Sequence, residues 1–231
     1  MRRILALGLI DLFVVAGVAH GQIVAYQVPT GVVGNQTNGA NLSFGMDFNV
    51  NMPVQVTQLG AFDSGQDGLI APILVAIYNR NTSSLASPVI TFATGSGPSS
   101  GTLNGGSRFL DISPIALPAG FTGSIIVFGY GNGSSAESDG NSFGAATGGS
   151  TYPWTTNDGG GALSFVGSGR YSNGGSGITF PTNIDTGPVN RYAAGTFTYT
   201  VGVPEPSTMC FCALATALCV GLRRSRYGGP S

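Results

Sequence analysis

The chain has 231 residues, nine arginines, ten acidic residues and a formal net charge of −1, with charged side chains making up only 8 % of it. Lysine is absent, the single histidine is His20, and the three cysteines are Cys210, Cys212 and Cys219, all near the C-terminus. Between the two ends there is therefore no His or Cys for zinc, copper or haem, no His-based nucleophilic machinery, no P-loop lysine and no disulfide framework.

Arg2 and Arg3 precede an apolar stretch, Ile4 to Val18, and Ala19-His20-Gly21 fits a small-x-small cleavage site. Residues 1–21 therefore read as a Sec-type signal peptide helix, with Gln22 as the mature N-terminus and a cut after Ala19 as the second choice. Asp11 is the one unfavourable residue in that stretch.

Residues 22–202 are long enough for one domain with its own core. Leu42 to Phe48 and Thr196 to Val201 alternate large apolar with small or polar side chains. Period-2 alternation predicts antiparallel strands with one wet and one buried face. Ile70 to Tyr78 and Ile125 to Tyr130 are more continuously apolar and read as central strands covered on both sides. Further strands are expected at Ile23–Val28, Val54–Phe62, Leu85–Phe92, Arg108–Leu117, Leu163–Val166 and Ile178–Phe180. Gly, Pro, Asn and Ser punctuate these runs. Nine or ten short strands without an amphipathic helix predict an all-β fold, an antiparallel β-sandwich or jelly-roll-like domain. Two Gly-rich inserts, Thr94–Gly106 and Gly131–Gly161, are longer than ordinary connections.

Within this body the charges from Gln22 to Pro206 are four arginines (Arg80, Arg108, Arg170, Arg191) against nine acids, a net of −5. Nothing basic clusters, so nucleic acid and anionic lipid are poor partners. Three sites admit two readings each. Asp63 to Gly68, with Asp63 and Asp67, is either a weak calcium loop or a strand-joining turn with capping aspartates. Trp154, with Tyr152 and Tyr171, is either a platform for sugar rings or an aromatic anchor for its loop. Glu137, Asp139 and Asp158 could add distant ligands to that calcium loop. The nine acids together are either solvated loop groups or the source of a glycosidase pair, and nothing in the sequence selects a pair. No other cofactor is implied.

The body gives way at Val203 to Pro204-Glu205-Pro206-Ser207, where two prolines forbid helix. An apolar run from Thr208 to Leu222 follows, then Arg223, Arg224 and Arg226, and a short tail, 227–231. Fifteen helical residues span ~22 Å at ~1.5 Å each, less than the roughly 30 Å hydrocarbon core. A transmembrane helix this short is a marginal anchor, and the arginines place its end in the cytoplasm.

Residues 203–226 resemble the PEP-CTERM sorting signal of Gram-negative bacteria. That resemblance implies processing by exosortase, a membrane-embedded cysteine protease, and delivery to the cell surface or an exopolysaccharide matrix. The three cysteines in the helix and the tail after Arg226 depart from the family pattern. The body has a fainter likeness, in Val56 to Asp63, Asp67-Gly68-Leu69, Val75 to Asn79, Phe109-Leu110, Pro114 and Leu117 to Gly120, to β-sandwich domains found upstream of such tails. The expectation is a non-enzymatic exported surface protein that meets polysaccharide or neighbouring surface proteins. A carbohydrate-binding module is the first alternative and a carboxylate-based glycan hydrolase the second.

Overall fold

The computed structural model describes residues 21–34, 42–130, 153–172 and 174–202. Residues 1–20 of the expected signal peptide, the expected sorting motif with the apolar run and arginines after it, Glu137, Asp139 and Tyr152 lie outside the described residues. Among the described residues no helix is long and apolar enough to cross a membrane; the only helical elements are 3₁₀ turns at Ser64–Gln66 and Pro98–Ser100.

The strands are β1 (Ile23–Val24), β2 (Tyr26–Gln27), β3 (Ser43–Val50), β4 (Val54–Phe62) and β5 (Ile73–Asn79). β6 (Ser84–Leu85), β7 (Ile90–Phe92), β8 (Thr102–Asn104), β9 (Ser107–Leu117) and β10 (Thr122–Phe128) follow. β11 (Thr155–Thr156), β12 (Leu163–Tyr171), β13 (Asn183–Ile184) and β14 (Gly195–Val201) complete the chain. One sheet runs β1-β14-β4-β9-β8, the other β13-β12-β3-β10-β5-β6 with β7 also on β5, and β11 pairs with β2. The fold is all-β, antiparallel and sandwich-like.

The two sheets share one core. Phe44, Met46, Phe48 and Val50 of β3 point into it, opposite Phe197 and Tyr199 of β14. The Phe48 and Phe197 rings stand 4.9 Å apart. At Gly195 the sheets approach closely: a Cβ there would lie 2.5 Å from Val127 Cγ1. At the end of β10 the Tyr130 hydroxyl donates to the Phe62 and Ala194 carbonyls at 2.7 and 3.1 Å, tying the sheets together.

The alternation places the apolar residues of β3 and β14 correctly, but the expected wet faces are closed. Ser43, Asp47, Thr196 and Thr198 are all buried. Thr196 lies under the N-terminal segment, its hydroxyl donating to the Tyr26 carbonyl and accepting from the Tyr26 N–H. The outer face of the second sheet lies under Ile178 and Phe180, which pack on Ala76 and Tyr78 of β5 and Ile126 of β10, while the Ser43 hydroxyl of β3 accepts the Thr179 N–H at 3.1 Å. Ile178–Phe180 is thus no strand but a cover. β5 and β10 are central and covered on both faces, as their continuous apolar runs predict. Leu85–Phe92 divides into β6 and β7, and the Thr94–Gly106 insert carries β8.

Candidate functional site

Ordinary sequence and a glycine-rich irregularity build a groove along the flank of the described residues. Between Val166 and Arg170 the register of β12 on β3 shifts. Gly167 and Gly169, with φ of 74° and 145°, make that shift accessible. A Cβ on Gly169 would meet the Tyr192 ring at 2.5 Å. Freed from the ladder, the carbonyls of Gly167, Ser168 and Gly169 accept the N–H groups of Asn190, Arg191 and Asp185 at 3.0, 2.8 and 2.9 Å. The irregularity thereby holds the 185–191 loop against β12.

That loop is clamped by charge as well. The Asp185 carboxylate accepts from Arg191 Nη1 at 2.6 and 2.7 Å, from the Tyr192 hydroxyl at 2.5 Å and from the Gly187 N–H at 2.8 Å. Burial by itself would raise the Asp185 carboxyl, but these hydrogen bonds outweigh it and hold the group below its ordinary 3.8. At the loop's end Asn190 takes a left-handed φ of 56°, a conformation asparagine tolerates better than most residues. Its carbonyl accepts the Trp154 indole N–H at 3.2 Å.

From Trp154 the chain runs as β11 and enters a turn at 158–161. There the Asp158 carboxylate takes the Gly160 N–H at 3.0 Å and Gly159, Gly160 and Gly161 all have positive φ. The resulting groove consists of two adjoining open depressions of about 310 and 490 Å³. Trp154, Thr155, Thr156, Val189 and Asn190 line the first. Thr156 and Asn190 are shared with the second, which adds Asp158 and Leu163 to Phe165.

Trp154 is 5 % exposed and belongs to the core. Its indole N–H anchors the 185–191 loop from beneath. Tyr171, half-buried at the far end of β12, pairs with Phe44 and Asn183 in the ladders. The polar lining of the groove beside Trp154, formed by Thr156, Ser164 and Asn190, carries no sequence motif. The one signal in the sequence is the Gly-rich insert Gly131–Gly161, which leads into β12.

Asp63 and Asp67, the two carboxylates of the expected turn or calcium loop, have different surroundings. Asp63 is fully buried, takes Arg108 Nε at 2.5 Å and the Gly68 N–H at 3.3 Å, and serves the turn. Asp67 is exposed. Among the described residues no three His, Cys, Asp or Glu side chains converge as metal ligands.

The remaining arginines are used in the same way. Arg170 Nε contacts both Asp47 oxygens at 2.8 Å, and Arg80 Nη1 contacts Asp47 at 3.4 Å. Arg80 also donates to the Asn49 side chain and, at 3.3 Å, to the Phe48 carbonyl. Every arginine between residues 22 and 202 therefore contacts an aspartate. Three described acids have no arginine partner: Asp67, Asp111 (bonded to Gln58 Nε2 at 2.8 Å) and Asp158. Burial, reinforced by the Asp47 charge, raises the Tyr26 phenol well above 10.0, and burial with Asp158 nearby does the same for Tyr199. Neither phenol exchanges protons near neutrality.

No family model, curated protein or solved structure matches this chain.

Proposed function

We propose that this chain is an exported, non-enzymatic surface protein. Its signal peptide directs Sec export, and residues 203–226 anchor it briefly in the inner membrane with the C-terminus cytoplasmic. An exosortase-type protease then processes the tail and releases a β-sandwich or jelly-roll-like body to the envelope or an exopolysaccharide matrix. The observation that carries this reading is the order Val203-Pro204-Glu205-Pro206-Ser207, apolar run, Arg223-Arg224-Arg226, three unlike elements in the sequence a processed anchor requires. Placement of the last strand supports it: β14 ends at Val201, so the motif follows a finished sheet with one residue between.

The charge distribution favours a structural or binding role over hydrolysis. A glycosidase needs a general acid whose pKa is raised. Asp47, Asp63 and Asp185 are each bonded to an arginine that fixes a loop or a sheet face, and Asp185 is held below its ordinary value, the opposite of what a general acid needs.

Mass spectrometry of the mature C-terminus, in cells with and without the processing protease, tests the sorting model. The expected result is a terminus lying before Arg223 only in cells that have the protease; a species carrying Arg223 to Ser231 in both would sink it. Release of reducing ends from envelope polysaccharide by the purified protein would reinstate the hydrolase reading.

A further inference from the structure

We propose that the flank groove between β11, the start of β12 and the 189–190 turn binds a single chain of neutral polysaccharide. This names the partner of the surface role proposed above and rests on that reading for the supply of ligand.

A sugar ring offers hydroxyls that both donate and accept, around a C–H surface that is apolar. The groove matches each part. Thr155 and Thr156 are exposed. Ser164 Oγ accepts the Asn51 amide at 2.7 Å and so keeps its own O–H to donate. Asp158 is exposed and uses one oxygen on Gly160, leaving acceptor capacity on the other. Asn190 Oδ1 is buried without a hydrogen-bond partner, a state that calls for a donor. Val189, 58 % exposed, and Phe165 provide apolar surface beside these groups. A wholly apolar ligand would bury that polar lining unpaired, which costs more than it returns.

Charge selects among glycans. The groove's single ionised group is a carboxylate, and every arginine of the body already contacts an aspartate. A uronate-rich, sulfated or phosphorylated polymer finds repulsion and no cation to offset it. A neutral polymer loses nothing. The groove is also built in advance: the β12 irregularity, the left-handed Asn190 and three positive-φ glycines fix its walls, which lowers the ordering cost of binding. Its size falls in the range of small-ligand sites, roughly 300–1,000 Å³.

Affinity electrophoresis of the processed protein tests this, in gels carrying hydroxyethylcellulose as the neutral polymer or polygalacturonate as the anionic one. Retardation is expected in the neutral gel alone. Asn190→Gly keeps the left-handed backbone and removes the amide, so it is expected to weaken retention about tenfold, the scale of one good hydrogen bond. Thr156→Trp fills the groove and is expected to abolish retention, with an unchanged melting temperature as the fold control. The proposal is overturned if Thr156→Trp migrates like the wild type, if the neutral gel gives no retardation, or if polygalacturonate retards the protein equally. Lost binding in a protein with a normally processed tail removes the groove alone; an unprocessed tail in a protein that still binds removes the sorting model alone.

Discussion

Phe48 and Asp47 are neighbours on β3, yet they belong to two different ways of closing a sheet against water. Phe48 enters the inter-sheet core with Phe197 and Phe121 around it. Asp47 points to the other face, held between Arg80 and Arg170, with the Arg170 guanidinium 5.2 Å from the Phe180 ring centre. The inner face is closed by shape and area, so its strength follows from apolar burial. The outer face is closed by one anion shared between two cations, and its side chains remain 10 to 18 % exposed. The first arrangement stabilises the fold; the second mainly fixes where the Ile178–Phe180 cover lies, since partly exposed ion pairs contribute little net energy.

Substitutions at the two neighbours break this comparison most directly. Phe48→Ala opens a cavity in a fully buried site and is expected to cost about 3–5 kcal/mol in urea unfolding. Asp47→Asn is expected to cost less, about 1–3 kcal/mol, because it leaves two arginines facing each other without their shared anion. Added salt should recover part of that second loss and none of the first. Equal costs, or salt recovery in Phe48→Ala, would mean that the two faces are not distinct. Arg108→Met extends the test to the buried Asp63 pair, where an unpaired carboxylate is expected to cost about 3–5 kcal/mol, much of it restored by Asp63→Asn in the same chain.

The same contrast explains what could be read in advance. Val54–Phe62 is a strand to the residue, and the expected Arg108–Leu117 and Thr196–Val201 fall within one residue of β9 and β14. In those segments the inward apolar set alone determines the pattern. The outer layer follows no period. Ile178 and Phe180 alternate like a strand, but they pack on a face whose partners, Ala76, Tyr78 and Ile126, come from β5 and β10. β11 and β13 are two residues each, too short for any period to show. The arginine–aspartate pairs join residues 6 to 123 positions apart, and composition reveals only that few charges are available. Of the groove, the glycine-rich flanks were legible as an insert, while Asn190 and Ser164 became visible only when β12 and the 185–191 loop came together.

Acid pH separates the groove loop from both faces of the sheet, with the smallest expected effect. The Asp185 carboxyl is held below its unfolded value, so its contribution is fully present at pH values above about 4. As pH falls the unfolded chain takes up the proton first, and the contribution fades until the folded carboxyl is also protonated. Arg191 is one-fifth exposed and screened by water, so the loss is expected to be about 1 kcal/mol or less. Melting temperatures between pH 5 and 2.5 measure it, and Asp185→Asn should flatten that part of the profile. Phe48→Ala should not, because no carboxylate holds the inner face. If Asp185→Asn leaves the acid slope unchanged, the clamp does not govern the loop, and the distinction between groove and core has to be sought in packing instead.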